Sequence, residues 1–279
     1  MPDQVEYQRA AYDDHYPKMA EAVRDQLAHP LLSSFYDRLA RLILDALPAV
    51  PPDGGPVAGA ARPVRVLEAG CGEGLVGSAV HRVALARNVD VAYTGTDLSA
   101  AGVDLARSVV KGDFVHGDAV AVVAACPPAS LDLIWAKNLL HHLEDPAAFL
   151  RAALRAVGPH GRVVVVEPRM WCPVHWVNLM WFRQERFLFR GYRRTTAALA
   201  ASGGRIVSTR EFGWLPYELA LATRFRTPRR LLSMGPGPAL ERISGLDDRL
   251  TARLPDLALY MVTVVAGPGS RSGDGVAHG

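Results

Sequence analysis

From residue 64 to residue 168 the chain alternates short apolar runs with helical stretches, and this alternation constrains the fold more than any other feature. VRVLEAG reads as a buried strand, GLVGSAVHRVALAR as a helix, VDVAYTGTDL as a strand, and SAAGVDLARSVV as a helix with Ser99 as N-cap. A short strand follows around FVHGDA, then the apolar strand LDLIWAKN. DPAAFLRAALRAV is a helix with Asp145 at its cap and Pro146 at the first helical position, and GRVVVVEP is a further strand. Strands that are apolar almost throughout, each followed by a helix, predict a mostly parallel sheet covered on both faces.

The flanks have a different texture. Residues 5–47 read as helical, with Leu31, Phe35, Leu39, Leu42 and Ala46 at helical spacing. Residues 47–63 are rich in Pro and Gly and read as a linker. Aromatic helices are expected in 171–203, a strand at RIVSTREFG, a proline-containing helical insertion over 214–256, and a last strand at LALYMVTVVAG. The expected division is an N-terminal helical cap or lid at 1–48, a linker at 49–63 and a ligand-binding core at 64–170. An acceptor-binding segment that also completes the sheet follows at 171–266, and a disordered tail at 267–279.

Directly after VRVL comes Glu68-Ala-Gly70-Cys71-Gly72-Glu-Gly74. Glycines there let the backbone turn sharply out of a strand and approach a ligand closely; the alternative is a purely structural turn. The GxGxG spacing is tighter than the GxGxxG of dinucleotide enzymes, which disfavours a nicotinamide oxidoreductase. Asp97 ends the second strand at the distance where an acid meets ribose hydroxyls. Asp118, in GDA, could accept from an adenine amino group or simply cap a helix. All three elements fall at strand C-terminal ends, where open parallel sheets bind ligands.

EAGCGEG, TDLS, GDA and NLLHHLEDP followed by GRVVVVEP together resemble the successive motifs of class I S-adenosylmethionine (SAM)-dependent methyltransferases of the small-molecule, natural-product type, over about residues 64–168. The resemblance implies a Rossmann-like, mostly parallel seven-stranded sheet with helices on both faces, an N-terminal helical cap and a helical insertion near the C-terminus. It implies SAM as cofactor, with Gly70, Cys71, Gly72 and Gly74 under the methionine part and Glu68 organising the loop. Asp97 would hold the ribose, Leu98 the adenine face, and Asp118 and Ala119 the adenine edge. Lys137 and Asn138 would meet the methionine amine through backbone carbonyls, and Tyr16 would touch SAM from the lid.

Methyl transfer from a sulfonium needs alignment and exclusion of water, and needs a general base only when the nucleophile stays protonated. Candidate catalytic groups at the same sheet edge are His141, His142 and Glu167, with His175 in the segment expected to cover the acceptor. For the histidines the alternative is capping or packing, and for Glu167 a plain loop acid. Segment 170–192 carries three of the five tryptophans. Trp171, Trp176, Trp181 and Phe182 are expected to line an acceptor pocket, the alternative being a helix packing on the core. Arg186, among Arg183, Arg190, Arg193 and Arg194, and a second cluster of Arg224, Arg226, Arg229 and Arg230, suit an acceptor with an anionic group; the alternative is a solvated basic face.

Composition narrows the classes. The chain is 49% hydrophobic and 21% charged, which supports a packed core. A net charge of +3, with no long basic stripe, argues against a nucleic-acid partner. Three scattered cysteines suggest neither a disulfide framework nor a metal site, so no metal is expected. No apolar run approaches the roughly 20 residues of a membrane span, and the polar N-terminus does not read as a signal peptide; cytoplasmic location is the expectation. The predicted function is methylation of O, N or C on a small organic acceptor in secondary metabolism; the alternatives are a SAM-fold protein that binds without methylating and a protein or peptide methyltransferase. A homodimer is compatible with this reading.

Overall fold

The computed structural model describes residues 5–6, 8–17, 30–47, 62–169, 172, 188–213, 238–255 and 258–267. Residues 8–17 are helical. The elements that follow are α1 (Pro30–Leu44), β1 (Val64–Ala69), α2 (Leu75–Ala86), β2 (Val91–Asp97), α3 (Ala100–Val109), β3 (Asp113–His116), α4 (Ala119–Ala125) and β4 (Leu133–Lys137). After a 3-10 turn at Leu140–His142 come α5 (Pro146–Val157), β5 (Arg162–Pro168), α6 (Leu188–Ala201), β6 (Arg205–Phe212), α7 (Pro238–Arg253) and β7 (Tyr260–Ala266).

The seven strands form one sheet in the order β3-β2-β1-β4-β5-β7-β6. Strands β1 to β5 pair in parallel, and β7 runs antiparallel between β5 and β6. This is the Rossmann-like sheet that the alternation of elements predicts. The two faces follow from the period-two alternation of a strand. Val66, Trp135, Val164 and Val166 face one way, against α1 and α2. Leu67, Ile134, Ala136, Val163 and Val165 face the other way, against α5, α6 and Val123 of α4. β5 is buried on both faces, which is why it reads as an unbroken run of valines.

The local signals work as expected at the caps. The Ser99 hydroxyl accepts from Gly102 N and the Asp145 carboxylate from Ala148 N. α1 behaves differently from a cap. Phe35, Leu39, Ala40, Ile43 and Leu44 are buried in the main core cluster with Val80 and Tyr260. Arg82 and Arg87 of α2 and its C-terminus bind Asp37 and Asp45, both at 2.7 Å. Residues of 30–44 thus pack into the core cluster, while the 8–17 helix lies over the cavity, which Tyr36 of α1 also lines. Arg38 of α1 also bonds Asp247 at 2.8 Å, tying α7 to the same face.

Candidate active site

The order of the sheet reverses between β1, followed toward one edge by β2 and β3, and β4, followed toward the other by β5. Loops leaving such a pair diverge and open a crevice at the strand C-terminal ends. A cavity of about 500 Å³ lies there. Its floor is the glycine loop after β1. Gly70, Gly72 and Gly74 hold φ of +71°, +47° and +79°, a region that side chains with a Cβ adopt only at a cost. A Cβ on Gly72 would come within 2.9 Å of the Tyr16 hydroxyl, so the glycine also makes room for the helix above.

Asp97 closes one side. Its carboxylate accepts from Gly72 N at 2.8 Å and from Ser99 N at 2.9 Å. Burial raises its pKa while these two donors oppose the shift. Each oxygen keeps a lone pair for a further donor. Asp118 lines the cavity and also caps α4, accepting from Ala121 N at 2.9 Å. On the β4 side, Asn138 sits at φ +53° and lines the cavity, and its buried Oδ1 has no hydrogen-bond partner among the described residues. Buried acceptors without a donor are rare, and an amine in the cavity would satisfy this one.

Glu68 is buried beneath the loop. The Tyr93 hydroxyl donates to its Oε2 at 2.5 Å. Burial pushes the Glu68 pKa up to about 7, against the pull of Tyr93, Trp135 and Lys137. Burial likewise pushes the Cys71 thiol up, which favours its protonated form.

The roof is the 8–17 helix. Gln8, Tyr12 and Tyr16 share one face at four-residue spacing. Gln8 Nε2 donates to the His142 carbonyl at 3.2 Å, and Tyr12 Oη lies 3.1 Å from His142 Nε2. Asp13 and the Ser99 hydroxyl are hydrogen-bonded. Tyr16 is buried against Gly72 and Gly102, and burial, with Asp97 next, raises its pKa.

This arrangement matches a known family. The sequence fits the family described as "Methyltransferase domain" across residues 31–215. The chain belongs to that family. Among its relatives, a ubiquinone biosynthesis O-methyltransferase of Idiomarina loihiensis is 26% identical over 184 residues, covering 64% of this chain and 63% of that protein. A 27-O-demethylrifamycin SV methyltransferase of Amycolatopsis mediterranei is 34% identical over 108 residues, 36% of this chain and 37% of that protein. The chain thus spans less than two thirds of the length of these relatives. A geranyl diphosphate C-methyltransferase of Streptomyces coelicolor, solved with S-adenosyl-L-homocysteine (SAH), superposes with a TM-score of 0.50 at 18% identity. That match covers 82% of this chain and 78% of that one, and it shows a shared fold.

The cavity gathers Tyr16, Glu68, Gly70, Cys71, Gly72, Asp97, Leu98, Asp118, Ala119, Lys137 and Asn138. Gly74 is not among the lining residues and acts as the turn that starts α2. Of the catalytic candidates, His142 lines the cavity. His141 and Glu167 do not: the Glu167 carboxylate accepts from Leu139 N at 3.0 Å and Leu140 N at 2.8 Å, and lies 2.5 Å from His141 Nδ1. They brace the turn that carries His142. His175, Trp171, Trp176, Trp181, Phe182 and Arg186, and the arginines at 183 and 224–230, lie outside the described residues. Gln8, Tyr12 and Asp13 join the site without a motif of their own; their register with Tyr16 is the only local signal for them. So does Tyr93, whose reach to Glu68 no local pattern announces.

Proposed function

We propose that this methyltransferase-family protein binds SAM in the crevice at the β1–β4 switch point and methylates a hydroxyl of a small organic acceptor. The observation that carries the reading is the donor–acceptor set of that crevice: a glycine loop with positive φ, the Asp97 carboxylate at the end of β2, and the orphaned Asn138 Oδ1 at the end of β4. These fit, in order, a close backbone approach, a ribose diol and an amine. Bound SAM would supply an activated methyl group.

The chain's own residues would align the acceptor and handle its proton. Burial, and then His141, holds the His142 pKa well below the usual histidine value. His142 Nε2, 3.1 Å from Tyr12 Oη, would take the hydroxyl proton by exchanging that contact for the acceptor, with Tyr12 fixing the ring position beforehand. The O-methyl chemistry named for two relatives supports an oxygen acceptor. The aromatic and arginine content of 170–194 supports an acceptor that is aromatic or hydrophobic and carries an anionic group.

The test is transfer of labelled methyl from SAM to a panel of phenols, hydroxy acids and prenyl phosphates. Replacing His142 with Gln is expected to lower kcat by about a hundredfold or more with KM little changed, the scale of a lost general base. Because its pKa is lowered, His142 stays neutral as pH falls, so the acid limb of the rate profile should lie below the usual histidine range. A wild-type rate for His142→Gln would remove the base role. Among the described residues no three His, Cys, Asp or Glu side chains are placed to hold a metal ion. EDTA should therefore leave turnover unchanged; a loss that magnesium restores would contradict this.

A further inference from the structure

The Tyr93–Glu68 pair sits in a niche that glycines on three sides leave open. Tyr93 stands opposite Val66 on β1, whereas Glu68 stands opposite Gly95. To reach Glu68, the phenol must lean along β2 across the Gly95 position. A Cβ at Gly95 would fall 2.9 Å from the Tyr93 hydroxyl. From the helix layer, a Cβ at Gly77 of α2 would fall 2.7 Å from the hydroxyl and 2.9 Å from Glu68 Oε2. At Gly112, where φ is +152°, a Cβ would fall 2.5 Å from the Tyr93 carbonyl oxygen. Three glycines make the niche for one tyrosine, and the tyrosine holds one carboxyl that faces the cavity.

We propose that Tyr93 and Glu68 form a charge-sensing pair that makes this cavity favour sulfonium-bearing SAM over its demethylated product SAH. The inference rests on the reading of the cavity as a SAM site. SAM carries one more positive charge than SAH, at sulfur. A cation in the cavity favours the ionised carboxylate, and a neutral thioether does not. Glu68 is poised to respond because its pKa stands at about 7 without a ligand. The groups that face the pair are few. Lys137 and Trp135 approach from β4, Glu73 and Cys71 from the glycine loop, and His81 of α2 sets its ring 5.4 Å from that of Tyr93. All of them are present with either ligand, as is the amino group that SAM and SAH share. A difference between the two ligands therefore isolates the sulfonium.

Binding SAM drives a proton off Glu68 below neutral pH, and that cost disappears once the carboxyl is already ionised. SAM should therefore tighten relative to SAH as pH rises, and displacement of the product by fresh SAM should become more favourable, while SAH affinity itself stays flat. The experiment is calorimetric titration of the full chain with SAM and with SAH between about pH 6 and about pH 8, in buffers of different ionisation heat. For a carboxyl titrating near 7, the SAM-to-SAH affinity ratio should rise by up to about tenfold over that interval, with net proton release on SAM binding at the acid end. Glu68→Gln should flatten the ratio. Tyr93→Phe removes a donor that holds the carboxyl pKa down, so it should move the rise to higher pH; this variant decides the matter if Glu68→Gln does not fold. Parallel pH profiles for SAM and SAH, a wild-type slope in Glu68→Gln, or an unmoved midpoint in Tyr93→Phe would overturn the inference while leaving the SAM site intact. No binding of SAM by the wild type would remove the functional reading and the inference together.

Discussion

Two N-terminal helices of this methyltransferase-family chain are held to the same sheet by opposite means. α1 inserts Phe35, Leu39, Ile43 and Leu44 into the core, all at 0–1% exposure. The 8–17 helix holds on through Gln8 and Tyr12 to His142, through Asp13 to Ser99, and through Tyr16 against Gly72 and Gly102. α1 has the apolar burial that makes a helix part of a fold. The other helix makes polar and aromatic contacts to residues at or beside the cavity. Contacts of that kind are individually worth about 1 kcal/mol and are easily exchanged. The difference separates a helix that stabilises from one that covers.

The largest expected effect tests the core side. Leu39→Ala empties a fully buried position and should cost about 3 kcal/mol in chemical denaturation, with SAM affinity unchanged in the protein that remains folded. A cost below about 1 kcal/mol would show that α1 is also an appendage. Next is the roof. Removing residues 1–17 should leave the unfolding midpoint close to that of the full chain but weaken SAM by about tenfold, or 1.4 kcal/mol. If the truncated chain unfolds earlier and binds equally well, the two helices have been assigned the wrong way round. The smallest effect sharpens the boundary between them. Ser99 both caps α3 and holds Asp13, so Ser99→Ala should cost about 1 kcal/mol through the cap alone. Its effect on SAM affinity should vanish when residues 1–17 are absent, a coupling that a double-mutant cycle measures.

Legibility followed the range of the interactions. The strand–helix alternation, the Ser99 and Asp145 caps and the glycine loop rest on neighbours within a few residues, and the structure reproduces them. The cavity-lining acids were legible because strand ends define the crevice. The division of the N-terminal region was not: apolar spacing through Leu39 and Ala46 shows that a face is buried but not what buries it. The roles of His141 and Glu167 were not legible either, since one histidine turns toward the cavity and the other toward a carboxylate from the next strand.

The sequence by itself determined the order of elements, the mostly parallel sheet and the glycine loop with its acids, because periodicity, caps and backbone freedom are properties of short stretches of chain. The tertiary structure alone decided which of two adjacent histidines faces the cavity, that residues of 30–44 pack into the core cluster, and that Tyr93 reaches Glu68 across Gly95. Each of those depends on contacts between residues far apart in the chain, where direction and distance are set by how strands and helices pack and leave no trace in local composition.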